Sequence, residues 1–173
     1  MYGIIATWRM ALEGISKADS MLKNNENAAD SIEEAIKAVE DFEYYKSVGY
    51  GGLPNEEMEV ELDAAFMDGD TLEFGCVGGI KDFANPVSIA RSLMHYDANN
   101  FLVGQGAEKY ASRHGFERKT MLTDRAKIHY HNRIKEITNT ELKPYSGHDT
   151  VGMVCLDHDG HMTCATSTSG LFM

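Results

Sequence analysis

The sequence predicts an α+β or layered α/β fold. Three observations carry that expectation. Apolar residues recur at helical spacing over 10–22 and again over 32–42. Two strand pairs flank tight turns, one at Asp68-Gly69-Asp70 and one at Asp157–Gly160. The chain of 173 residues is 43% hydrophobic and 25% charged, the balance of an ordinary globular domain rather than a disordered or fibrous chain.

The elements follow in order. Gly3–Thr7 (GIIAT) is a short apolar run that reads as a buried strand. A helix follows, with Met10, Ala11, Ile15, Ala18, Met21 and Leu22 on one face. Asn24 and Asn25 end it. Asn27 or Asp30 caps a second helix, whose apolar stripe is Ile32, Ala35, Ile36, Val39 and Phe42. Glu33, Glu34, Lys37 and Glu40 are expected to point outward. The run SVGYGGLPNEE, residues 47–57, is an irregular glycine-rich loop. Residues 58–67 alternate as a strand, and Leu72–Val77 returns from the turn. Asn85-Pro86 opens a helix with Val87, Ala90, Leu93 and Met94 inward. Phe101–Val103 is a short strand, followed by a helix that ends at Gly115. Residues 117–147 read as a long exposed connector with a partial helix at Arg125–Lys135. Thr150–Leu156 and His161–Thr168 form the last strand pair.

Charge and cysteine content narrow the function classes. The formal net charge is -11, concentrated in residues 1–100, which hold 19 acidic and 7 basic side chains. Such a chain is a poor candidate for general binding of nucleic acid or anionic membrane. The stretch 113–135 carries a net charge of +5, but it lacks aromatic interleaving and reads as a solvated segment. Cys76, Cys155 and Cys164 form no paired motif and fit a reducing compartment. No signal peptide or membrane-length apolar run is evident, so a cytoplasmic location is expected.

Two histidine pairs, His129-x-His131 and His158-x-x-His161, lack the further ligands of a zinc site, and no metal is expected. Thr150 is more informative. It follows Gly147-His148-Asp149 and opens a buried strand. A threonine hydroxyl is a weak nucleophile unless a base stands beside it, and its own α-amine can serve once freed. An α-amine has a pKa near ~8, so part of it is neutral at physiological pH. That chemistry requires cleavage between Asp149 and Thr150. A strand-forming threonine without chemistry is the alternative.

GHDTVGMV, followed after the turn by ATSTSG, resembles the N-terminal-nucleophile amidohydrolases of the glycosylasparaginase and type 2 asparaginase family. ATWRMALEG, SVGYGGLPNEE with ELDAAFMDG, NPVSIAR and LVGQGAEKYA extend the resemblance over nearly the whole chain. It implies a four-layer α/β/β/α sandwich, incomplete here. It implies an α-subunit portion, 1–149, and the opening of a β-subunit portion, 150–173. It implies that Thr150 is the nucleophile and that Thr168 supports it. It implies that His148, Asp149 and Thr150 carry out autoproteolysis, and that Trp8 and Ser47 bind substrate.

The implied reaction is hydrolysis of the side-chain amide of N4-(β-N-acetylglucosaminyl)-L-asparagine. L-Asparagine or β-aspartyl peptides are the alternative substrates. No cofactor is implied, and the partners are the rest of the β portion and a second pair in an (αβ)2 assembly. The family's sequence extends past the position of Met173. That part supplies an Arg and an Asp for the substrate's amino acid end, and a Thr-Gly oxyanion hole. One oxyanion donor is worth ~10²–10³ in rate, so this chain by itself is expected to be inactive. A truncated, non-catalytic subunit is the further alternative.

Overall fold

A computed structural model of the chain describes residues 1–139 and 150–170. The architecture is mixed α/β. Six strands form one sheet: β1 (Gly3–Ala6), β2 (Glu61–Asp68), β3 (Phe74–Lys81), β4 (Phe101–Val103), β5 (Val151–Leu156) and β6 (Met162–Thr168). Their spatial order is β1-β5-β6-β2-β3-β4. All neighbours are antiparallel except β3 and β4. That parallel pair requires a crossover, which α3 (Pro86–Leu93) supplies.

The helices α1 (Leu12–Lys23), α2 (Ala28–Glu40), α3 and α4 (Gly104–Arg113) pack on one face of the sheet. Strand burial alternates accordingly. Leu62, Ala64 and Phe66 of β2 face the helices with Val77 and Ile80 of β3, Val151, Met153 and Cys155 of β5, and Ala165 of β6. Against them stand Ala18, Leu22, Ile32, Ala35, Ile36, Val39, Val87, Ala90 and Leu93. This single interdigitated core sits between the helix layer and the sheet. The opposite face of the sheet has no layer over it among the described residues. One helix layer and one sheet of the expected four-layer arrangement are therefore present.

Local signals explain the helix ends. The Asn27 side chain accepts from the Asp30 N–H at 2.7 Å and caps α2. Pro86 stands at the start of α3, where its missing N–H costs nothing.

Several expectations need correction. Glu40 was expected to point outward but is wholly buried, at the last position of α2. A 3.6-residue period with Ile36 and Val39 inward brings the following position onto the same side when a loop folds back over the helix end. The loop 41–52 does this: Tyr50 N donates to Glu40 O at 2.7 Å. Phe42 lies beyond the helix, partly exposed, against Tyr45 and Tyr44. The second strand begins at Glu61 rather than at residue 58, because Met58 takes a left-handed φ of 62°. Its partner begins at Phe74 and runs on to Lys81.

The connector is more structured than expected. Met121, Thr123 and Ala126 are buried, Phe83 bridges to Arg118, and α5 spans Asp124–Asn139. Arg125 lies over the Tyr44 ring at 4.7 Å, which fastens the helix to the loop before the glycine run.

Candidate active site

The site lies at one end of the sheet's open face. Val151 of β5 pairs with Ser167 of β6, and Gly152 with Thr166. One further step along that ladder sets Thr150 beside Thr168. Directly opposed residues share a face, and these two threonines fall on the face away from the helices. Asp63 of β2 pairs with Thr168 and extends the row. Its carboxylate accepts from Gly79 N at 2.8 Å, where Gly78 and Gly79 bulge opposite it with Gly79 at a φ of 58°.

The glycine-rich loop closes over the end of β6. The Ser47 carbonyl accepts from Ser169 N at 2.7 Å and from Thr168 Oγ1 at 3.3 Å. Gly170 N donates in turn to Thr168 Oγ1 at 3.1 Å. The Thr168 hydroxyl is thus oriented by main-chain groups on both sides. Glycine is needed along the loop, as two of its positions show. A Cβ on Gly49 would lie 2.2 Å from Glu40 O, and one on Gly52 would lie 2.5 Å from Ser169 Oγ.

The structure brings Thr150 and Thr168 together, with the Ser47 main chain against Thr168. The Ser47 side chain is buried. Trp8 stands just beyond the end of β1, about half exposed, with φ 63° and ψ 149°. That backbone region is strained for a residue with a Cβ. His148 and Asp149 lie outside the described residues. Three residues escaped the sequence reading. Thr7 donates to Thr150 O at 3.0 Å, Thr166 donates to Val151 O at 2.8 Å, and Asp63 flanks Thr168. The period-2 spacing of Thr166 from Thr168 was the available signal for one of them.

The open face beside the site holds a groove of about 600 Å³, lined by Ile5, Thr7, Met67, Phe74, Val154 and Thr166 among others. Its lining is almost entirely apolar. Ile5 is 70% exposed there, and Phe101 and Val103 of the edge strand are 54% and 60% exposed. Apolar surface on this scale is uncommon on the outside of a lone soluble domain.

The chain matches the asparaginase family model over residues 6–173. It belongs to the type 2 asparaginase family. It is 33% identical, over 97% of its length, to the N(4)-(β-N-acetylglucosaminyl)-L-asparaginase of Elizabethkingia miricola, covering 49% of that protein. It is 36% identical to the isoaspartyl peptidase/L-asparaginase of Mus musculus, over 92% of this chain and 51% of that one. It is 34% identical to the plant-type L-asparaginase of Thermococcus kodakarensis, over 98% and 55%. The chain spans about half the length of the curated relatives it matches.

The other candidates separate from the site. The His158 ring lies against Tyr2 at a tilt, centroids 4.7 Å apart, and His161 pairs with Asp70, so the two histidines do not converge. Among the described residues no group of three His, Cys, Asp or Glu side chains is placed to hold a metal ion. No described helix is long and apolar enough to cross a membrane. The Cys155 thiol is pushed up to about 11 by burial and by Asp157, so it behaves as a core residue rather than a nucleophile.

Proposed function

We propose that this chain carries the nucleophile-bearing half of an N-terminal-nucleophile amidohydrolase, with Thr150 as the nucleophile. The supporting observation is the row Thr150–Thr168 at the end of an open sheet face, in a chain of the asparaginase family. In this reading 1–149 is the α portion and 150 onward begins the β portion. The Thr150 hydroxyl first attacks the Asp149 carbonyl. An N-to-O shift moves the Asp149 acyl group onto the Thr150 oxygen as an ester and frees the amine, and water then hydrolyses the ester to a free carboxylate and the Thr150 hydroxyl. Asp149 assists as the local base, and His148 holds the scissile segment.

The freed amine then takes the proton from the Thr150 hydroxyl as that oxygen attacks the substrate's side-chain amide carbonyl. The amine leaving group departs, and water hydrolyses the β-aspartyl ester. Thr168 stands next to the nucleophile and supports it. Trp8 and the Ser47 loop border the substrate. The remaining β portion covers the apolar face and supplies the anchors for the substrate's amino acid end, within an (αβ)2 assembly. N4-(β-N-acetylglucosaminyl)-L-asparagine is the substrate we put first. L-Asparagine and β-aspartyl peptides are supported equally by the names of the relatives.

The test combines intact mass with turnover of an aspartyl-coumarin amide by the chain together with its remaining β portion. Wild type should release a fragment ending at Asp149, and Thr150→Ala should neither cleave nor turn over. The loss should be on the order of 10⁴ or more, as for removal of a nucleophile. Cleavage or turnover unchanged in Thr150→Ala would overturn the assignment. A wild type that never cleaves would favour a non-catalytic subunit. Comparing the three substrate classes then settles preference.

A further inference from the structure

Regular pairing of β1 with β5 ends at Ala6 and Met153. One residue further, Thr7 N still donates to Gly152 O at 2.9 Å. In an ordinary antiparallel pair the Gly152 N–H would return the bond to the main-chain carbonyl of residue 7. Here it goes to Thr7 Oγ1 instead, at 2.8 Å. The next residue explains the exchange. Trp8, at φ 63° and ψ 149°, turns the main chain out of the sheet, and the Thr7 hydroxyl stands in for the lost ladder acceptor.

That hydroxyl still has its own hydrogen, which it directs to Thr150 O at 3.0 Å, with Gly152 O at 3.4 Å a more distant second acceptor. A single side chain thus accepts from residue 152 and donates to residue 150. On the other flank, Thr166 Oγ1 of β6 donates to Val151 O at 2.8 Å. Residues 150, 151 and 152 are held by hydroxyls from both neighbouring strands.

We propose that Thr7 is a positioning residue for the nucleophile, with Thr166 as its counterpart on the opposite strand. This rests on the reading of Thr150 given above. Cutting the chain before Thr150 turns that residue into a terminus, and termini fray unless tied down. The amine and hydroxyl of one residue must both keep their aim for nucleophilic attack, so small displacements are costly in rate. The hydroxyl clamp restrains the new terminus. It also couples the strained Trp8 backbone to the nucleophile, because the turn at Trp8 is what frees the Thr7 hydroxyl for this use.

The experiment uses the chain together with its remaining β portion, carrying Thr7→Val, Thr7→Ser or Thr166→Val. Amide hydrogen exchange at Gly152 reads the clamp directly. Protection should fall in Thr7→Val, persist in Thr7→Ser, and leave core amides such as Met153 unchanged. In turnover, Thr7→Val should lose roughly 10- to 100-fold in kcat with little change in KM. Thr7→Ser should recover most of that loss, and Thr166→Val should fall between them. Gly152 protection that is indifferent to Thr7→Val, or an unchanged kcat in that variant, overturns the proposal while leaving the Thr150 assignment intact. A wild type without cleavage or turnover, with Gly152 protection still dependent on Thr7, overturns the nucleophile reading and the positioning role with it. The clamp then stands as a feature of the fold alone.

Discussion

The two faces of the sheet are built from the same strands but to different rules. On the helix side, Phe66, Leu62, Ile80 and Val77 are closed off chiefly by α3 and α4. On the other side, the residues between them in sequence are Asp63, Ala65, Met67, Phe74 and Cys76, and the last four line a shallow groove. The first face is continuous, apolar and helix-covered. The second mixes apolar surface with a row of hydroxyls and a carboxylate at one end. Stability resides on the first face, and the candidate chemistry sits on the second.

The sharpest way to break that contrast is a matched pair of truncations. Phe66 is closed in by the helix layer, with the Arg91 guanidinium over its ring at 5.5 Å. Phe66→Ala should cost about 3–5 kcal/mol, the range for a buried aromatic. Phe74 lies eight residues away on the adjacent strand but on the open face, 43% exposed. Phe74→Ala should cost less than about 1 kcal/mol in the same chain. Denaturant unfolding of both variants checks the pair. Equal losses would show that the open face is covered in the protein as isolated, which the remaining β portion would do.

Much of this division was legible in advance. The alternation of β2 and the helical stripes of α1 and α2 placed the core, because burial on one face writes itself as a period. The candidate positions Thr150 and Thr168 were named from motif, as part of the proposed site. Three features were not. The burial of Glu40 depends on a loop that folds back over the helix end, which no local period encodes. The ordering of 117–126 depends on Met121 finding the core from within a polar stretch. The use of Thr7 depends on the backbone of Trp8, and sequence pattern carries no φ angle.

Glu40 gives the second prediction. Its carboxyl accepts from Val87 N at 3.1 Å and from Asn85 Nδ2 at 3.3 Å, with no cation bonded to it among the described residues. Ser167 Oγ adjoins it from β6 but misses hydrogen-bond geometry. Burial pushes the carboxyl up to about 8, against the pull of those donors. The folded state therefore holds this proton more tightly than the unfolded chain does. Its contribution to stability is complete below the ordinary glutamate range and is lost as pH rises toward about 8. Glu40→Gln should flatten that decline. Relative to the difference at pH 4.5, the variant should gain on the order of 3 kcal/mol by pH 8. Urea midpoints across that range check it. A wild-type curve as flat as the variant's would mean the carboxyl is ionised in the fold, and that the helix face admits water or a cation.

The smallest expected effect concerns the end of the sheet remote from Thr150. Asp157, at the turn between β5 and β6, is 3% exposed. One carboxylate oxygen accepts from Ala28 N at 3.0 Å, at the first turn of α2. The other accepts from Asp159 N at 3.1 Å and His161 N at 3.0 Å. A single side chain shapes the hairpin turn and caps a helix of the opposite layer. Burial works to raise its pKa, but the backbone donors of Ala28, His161 and Asp159 outweigh it and hold the carboxyl below its usual range. The stabilisation is thus present above the ordinary aspartate pKa and is lost as pH falls through the lowered value. Asp157→Asn keeps one acceptor oxygen and loses the charge that favours a helix N-terminus. It should cost about 1–2 kcal/mol at neutral pH, with a smaller gap to wild type in acid. Because the turn lies at the far end of β5 and β6, turnover should stay within about twofold of wild type. A large loss of kcat at unchanged stability would mean that the hairpin transmits its turn geometry along both strands to Thr150, and the separation between the stabilising and the chemical parts of the sheet would fail there.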